Sequence, residues 1–292
     1  MQQKTIIKAT KLKRLKLTVC LLLPVICVFF WFSGHKTAFS SASKVMEVED
    51  CNLEQIDDKS IDKSRLWLNE AQADKDIKPP VFIALCFHEI RDDRPDDPLA
   101  VPIENFRKII RELKYRGYEF LDSNDVVAIK KGRMKQPPKA VFISFDDGYE
   151  DNYKNAFPIL RQEGVKATFF IVSSMIGKEN RMTISQLKEM AAYGMCLGSH
   201  TVNHLELNKL SSDIVKKEML VSRRDIQLKC GFLTKSLAYP CGYISDKVVN
   251  EAKKDYNIAF IASMDNKIPN TAYTIHRYGV FRWHDSLASI LK

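Results

Sequence analysis

Two short stretches carry residue types that can do chemistry together. In Val141-Phe142-Ile143-Ser144-Phe145-Asp146-Asp147-Gly148 an apolar run ends abruptly in two adjacent carboxylates and a glycine. Neighbouring like charges repel and favour protonation, so such a pair calls for a cation or another compensating group nearby. The same residues could instead make a turn with a helix N-cap. In Gly198-Ser199-His200-Thr201-Val202-Asn203-His204 two histidines stand four positions apart. On a helical turn they would face one side, which suits a single metal ion. Zinc proteases of the zincin type share this spacing but place a glutamate directly after the first histidine. Here that position is Thr201, so a base has to come from elsewhere. Two surface histidines are the plain alternative. Taken together, one carboxylate and two imidazoles make a three-ligand site with positions left for water and substrate. The other carboxylate is then available as a base.

The elements that must position these groups read as an alternation. Apolar, strand-like runs occur at Val81–Phe87, Ala140–Phe145, Ala167–Val172, Met195–Gly198, Ser236–Tyr239, Ile258–Ala262 and Tyr273–Val280. Between them lie helical patterns. Ile103, Phe106, Ile109, Ile110 and Leu113 form a helical stripe that Gly117 ends. Further helices are expected over Tyr149–Glu163, from a Thr183/Gln186 capping box to Tyr193, over Ser211–Lys229 and over Ser245–Tyr256. Strands alternating with helices imply βαβ units and a mainly parallel sheet, closed as a barrel or open and doubly wound. Both chemical stretches follow strands of that sheet, so they should open on its functional edge, the C-terminal ends of the strands.

The motif pair, in this order, resembles the polysaccharide deacetylase family, carbohydrate esterase family 4, built around the NodB homology domain. The resemblance runs from about Val81 to the C-terminus, and Thr168-Phe169-Phe170 resembles the family's strand between the two motifs. It implies an α/β fold, a distorted (β/α) barrel with about seven parallel strands. It also implies that Asp146 is the catalytic base and that Asp147, His200 and His204 bind the metal, Zn2+ or another first-row divalent cation. The third family motif usually opens with arginine, but Ala238-Tyr239-Pro240-Cys241 lacks it. The Cys241 N–H could still serve as an oxyanion donor, while the group that orients Asp146 is not evident. No Asp-x-x-Asp-Trp motif is present. The C-terminal Leu-x-His that supplies an acid is also missing, with Thr274-Ile275-His276 only a faint echo. Cys86-Phe87-His88-Glu89-Ile90, and the helix from Asn105 towards Tyr118, resemble instead the poly-β-1,6-N-acetylglucosamine deacetylases of biofilm formation. That branch implies His88 as the acid, ahead of His276 and His284. Tyr149, Tyr239 and Trp283 are candidate sugar-stacking residues.

The rest of the 292-residue chain bounds the setting. Of the formal charge of +9, six positive charges fall within residues 1–16, and the remainder carries 39 basic against 36 acidic residues. No broad basic field survives, which argues against nucleic acid as a partner. The basic tail (1–16) precedes an apolar segment (17–33) whose core, Leu17 to Phe32, would span about 24 Å as a helix. It reads as a membrane anchor or a secretory signal. A polar stalk (34–79), with one short helix around Trp67, leads to a deacetylase domain (80–292) on the extracellular side, anchored or secreted. Cys51, Cys86, Cys196, Cys230 and Cys241 are odd in number and scattered, so no disulfide framework is implied, and Cys86 and Cys196 fit as buried small residues. The expected function is metal-dependent N-deacetylation of a β-linked N-acetylglucosamine polysaccharide, most of all the β-1,6-linked polymer of biofilm matrix. Peptidoglycan or chitin-type substrates, a non-catalytic surface carbohydrate-binding protein, and a non-haem iron oxygenase with the same ligand types are the competing readings.

Overall fold

The segment Ala140–Phe145 is buried at all six positions, as befits a parallel strand covered on both faces. It lies at the centre of a computed structural model that describes residues 82–263, 265 and 267–291. The basic tail, the anchor or signal segment, the stalk with its Trp67 helix, and Cys51 all lie outside the described residues. No helix among those described is long and apolar enough to cross a membrane.

In chain order the first elements are β1 (Ile83–Phe87), β2 (Glu89–Ile90), β3 (Ala100–Val101), α1 (Ile103–Tyr115), β4 (Glu119–Leu121) and α2 (Ser123–Lys130). Next come β5 (Ala140–Phe145), α3 (Phe157–Glu163), β6 (Thr168–Ile171), α4 (Ile184–Tyr193) and β7 (Cys196–Ser199). The chain continues through α5 (Ser212–Cys230), β8 (Ser236–Ala238), α6 (Asp246–Asp255), β9 (Ile258–Ile261), β10 (Ile275–His276), β11 (Tyr278–Gly279) and α7 (Leu287–Ile290). The expected stripe is the buried face of α1, through Phe106, Ile109, Ile110 and Leu113. The Thr183/Gln186 capping box opens α4.

Nine strands form one sheet in the order β10-β9-β8-β7-β6-β5-β1-β11, with β4 paired to β5, and every pairing is parallel. The two edge strands, β10 and β11, are consecutive in the chain and separated by one residue, Arg277. One short segment therefore reaches β9 on one side and β1 on the other, bringing the sheet close to a closed barrel. Counted as one broken strand, it gives the expected seven, with β4 outside that path. Phe142 on β5 and Phe260 on β9 are not on neighbouring strands, yet their rings stack at 4.5 Å. Such a contact is made across the barrel interior, where Phe170 packs at 5.4 Å from Phe260.

Three local expectations are corrected. Tyr273–Val280 is not one strand, because it breaks at Arg277 to pair in two directions. The helix expected from Tyr149 passes, after Glu150 and Asp151, through a π-helical turn, Asn152–Ala156. Its Asn152 and Asn155 side chains donate to the carbonyls of His88 and Ile90 at 2.7 Å each. Residues 200–204 form no helical turn. Their backbone passes through left-handed conformations at Thr201 (φ 65°) and His204 (φ 56°).

Candidate active site

Asp146 follows the last residue of β5 and is 2% exposed. Its N–H donates to the Phe87 carbonyl at 2.9 Å, tying it to β1. Arg277, fully buried at the seam, grips both carboxylate oxygens: Nη1 donates to Oδ1 and Nη2 to Oδ2, each at 2.7 Å. Nη1 also donates to Ser144 Oγ at 3.0 Å, and the guanidinium lies 5.2 Å over the Phe170 ring. The Cys86 thiol donates to Oδ2 at 3.3 Å; burial raises its pKa well above the usual value and keeps it protonated. Burial alone would push Asp146 up, but Arg277, followed by His200, more than offsets this and holds the carboxyl well below the usual carboxylate range. The arginine absent from the third motif thus has a counterpart 131 positions beyond Asp146.

Asp147 adopts a left-handed backbone conformation, φ 71°. Its Oδ1 lies 3.5 Å from His200 Nε2 and 3.3 Å from His204 Nε2. One donor atom from each of the three residues lies within 4.8 Å of the others. His200 is held at both ends: its N–H donates to the Ile171 carbonyl at 2.9 Å, and its Nδ1 lies 2.8 Å from the Ala238 carbonyl. A proton on Nδ1 is required for that second bond, which leaves the Nε2 lone pair directed at Asp147. Burial lowers the His200 pKa despite the neighbouring carboxylates, favouring the neutral form a ligand needs. The turn carrying His204 is clamped by Glu218 of α5, whose carboxylate accepts from Val202 N (3.0 Å), Asn203 N (2.8 Å) and Asn203 Nδ2 (2.7 Å). Two imidazole nitrogens and one carboxylate oxygen, preset in tautomer and orientation, fit a divalent first-row ion.

Other expected residues divide between the site and the core. His88 is half-buried directly after β1, where it groups with Cys86 and Asp146 within the same 4.8 Å limit. Its Nδ1 is buried without a hydrogen-bond partner. His276 and His284 bond elsewhere, to the Ile268 carbonyl (2.9 Å) and the Phe281 N–H (3.0 Å) respectively. Tyr149 is half-buried beneath Arg181, whose guanidinium lies 3.9 Å over its ring and donates to the Asp147 carbonyl at 2.8 Å. Cys241 is exposed, with φ 56°. Tyr239 corrects an expectation: at 1% exposure its ring packs in the apolar interior with Leu237, Val248 and Ile261, so no face is open to a sugar. Sequence reasoning missed Arg277, Cys86 as a donor to Asp146, and Glu218. Only the position of Arg277, next to the faint His276 echo, offered a signal. Beside the His88 loop lies a cavity of about 330 Å³ lined by Arg91, Asp93, Glu150, Asp151 and Lys154 among others. There, burial pushes Asp151 up to about 6.

Comparison with known proteins decides the family. The polysaccharide deacetylase family matches residues 133–258. The polysaccharide deacetylase homologue YxkH of Bacillus subtilis is 33% identical over 196 residues, 67% of each chain. The chain belongs to the polysaccharide deacetylase family. Among further relatives of this deacetylase is the poly-β-1,6-N-acetyl-D-glucosamine N-deacetylase of Staphylococcus aureus, 30% identical over 170 residues. That match covers 53% of this chain and 58% of the relative's length. The solved structure of the Streptococcus pyogenes deacetylase PplD, in complex with acetate, has a TM-score of 0.66 and 26% identity, covering 74% of this chain and 100% of that one. The distorted barrel expected of the family is the fold found. His88 and Arg277 both lie outside the family match at 133–258, one on either side of it.

Proposed function

We propose that this deacetylase removes acetyl groups from a β-linked N-acetylglucosamine polymer, the β-1,6-linked polysaccharide of a biofilm matrix, in a zinc-dependent reaction. It would act at the extracellular face of the membrane, held there by residues 17–33, or as a secreted protein. The observation that carries the reading is the convergence of Asp147, His200 and His204 beside an Asp146 that Arg277 keeps ionised. Similarity to the staphylococcal N-deacetylase supports the substrate class. A helix-flanked parallel barrel argues against the oxygenase alternative, which would need a cosubstrate site.

Asp147, His200 and His204 would hold a divalent ion, and that ion, when bound, would supply Lewis-acid polarisation of the acetamide carbonyl and a lowered pKa for a water molecule. Asp146, ionised at neutral pH, accepts the proton of the attacking water on a carboxylate oxygen. Arg277 fixes the direction of that carboxylate through two parallel hydrogen bonds. The Cys241 N–H donates to the oxygen on which negative charge develops. His88 gives a proton to the amine nitrogen as the amide C–N bond breaks, leaving acetate and a free amine.

The test is acetate release from β-1,6-linked N-acetylglucosamine oligomers by the full chain. Release should stop with a chelator and return with zinc. Asp146→Asn should retain the metal yet lose about 10²- to 10⁴-fold in kcat. Release only from β-1,4-linked oligomers would redirect the reading to chitin or peptidoglycan. No release from any metal-loaded preparation would overturn it in favour of a binding protein.

A further inference from the structure

Trp283 leaves 66% of its surface exposed. Single exposed apolar residues are ordinary, so what sets this one apart is its support and its place. The indole stacks on Phe281 with ring centroids 5.1 Å apart and planes 16° from parallel, and His284 meets it edge-on at 5.8 Å. A Cβ at Gly279 would lie 3.0 Å from the Phe281 ring, so the glycine makes room for the lower member of the stack. The backbone beneath is pinned on both sides. Phe281 N donates to His284 Nδ1 (3.0 Å), Arg282 N to the Pro98 carbonyl (2.8 Å), and Asn105 Nδ2 to the His284 carbonyl (3.3 Å). Arg282 Nη1 adds bonds to the carbonyls of Arg94 and Ala100.

Trp283 also stands on the rim that carries the chemistry. The N–H of Val280 donates to the carbonyl of Cys86 at 2.8 Å, and the Cys86 thiol touches Asp146. Strand β11 runs parallel to β1 with Gly279 level with Cys86, so the three residues after Val280, which span at most about 11 Å, leave the sheet at the end where His88 follows β1. Of the three aromatic residues first considered for sugar contact, Tyr239 is interior and Tyr149 has a guanidinium over its ring. Trp283 alone of them combines an open surface with a fixed orientation.

We propose that Trp283, seated on Phe281, is a stacking platform for a sugar ring of the polymer next to the unit being deacetylated. A pyranose with equatorial substituents presents a flat patch of C–H groups that fits the electron-rich face of an indole. Because the platform is already ordered, little entropy is lost when the sugar docks. The inference rests on the deacetylase reading above and adds a contact at a distance from the reacting bond.

The test compares Trp283→Ala and Trp283→Phe with the wild-type chain on N-acetylglucosamine oligomers of increasing length. In wild type kcat/KM should rise with length. In Trp283→Ala that rise should be blunted by about three- to tenfold on the longest oligomer, through KM, with Trp283→Phe recovering most of it. A second readout is tryptophan fluorescence during titration of Asp146→Asn with the same oligomers. The change should vanish when Trp283→Ala is added, although Trp31 and Trp67 remain. Deacetylation with the same length dependence in Trp283→Ala, and no fluorescence response from Trp283, would overturn the platform alone. Absence of both binding and acetate release for every oligomer would overturn the deacetylase reading, and the platform with it.

Discussion

Glu218 touches neither Asp147 nor the imidazoles in any contact described above, yet it accepts three hydrogen bonds from the turn that presents His204. Removing its charge should loosen that turn while leaving α5 in place. Glu218→Gln is expected to weaken zinc binding about 10- to 100-fold, measured by competition with a chelator, with little change in the circular dichroism spectrum. An unchanged zinc affinity would show that the turn holds itself. At this scale the sequence was legible wherever chemistry is local. Asp146-Asp147 and His200 through His204 each announce themselves by adjacency and spacing. Arg277 did not, because nothing in a linear pattern links a lone arginine to a carboxylate 131 positions earlier. Cys86 was rightly read as a buried residue, but its hydrogen bond to Asp146 is a matter of sheet register that only the paired strands reveal.

At the scale of elements, segments with an unbroken apolar run or a clear apolar stripe were readable and the others were not. α1, α4, α5 and the buried strands follow from their apolar spacing and caps. The three-residue β4 (Glu119-Phe120-Leu121) and the eight-residue α2 (Ser123–Lys130) went unnoticed because β4 opens on a charged, exposed residue and α2 carries its apolar residues bunched rather than as a stripe. The two histidines were expected to converge through a helical turn. They converge instead through a loop with left-handed residues, a conformation that costs roughly 1–3 kcal/mol per residue and persists where surrounding bonds enforce it. Gly198 in β7 shows how tightly the strands are fitted: a Cβ there would lie 2.3 Å from the Phe170 ring. Gly198→Ala is therefore expected to destabilise the fold by about 1–3 kcal/mol, read as a lower Tm. Phe170 also lies under Arg277, so kcat should fall as well. A variant with wild-type Tm would mean that Phe170 has room to move.

The molecule as a whole depends on a buried ion pair placed where its sheet closes. Arg277→Met leaves the Asp146 carboxylate buried without its guanidinium counter-charge, a loss of about 3–5 kcal/mol. For a domain of this size that lowers Tm by roughly 2–4 °C for each kcal/mol. Adding Asp146→Asn should restore part of the lost stability and none of the activity; if the double variant is no more stable than the single one, the pair is not what holds the seam. The five residues from Ile275 to Gly279 thus serve two ends at once, joining β9 to β1 and delivering the guanidinium to Asp146. A ribosome must pass codon 277 before the carboxylate proposed to accept the water proton has its counter-charge. Polypeptides cut short before that point would contain every proposed zinc ligand yet lack the guanidinium paired with Asp146, so the candidate site is complete only with the finished architecture.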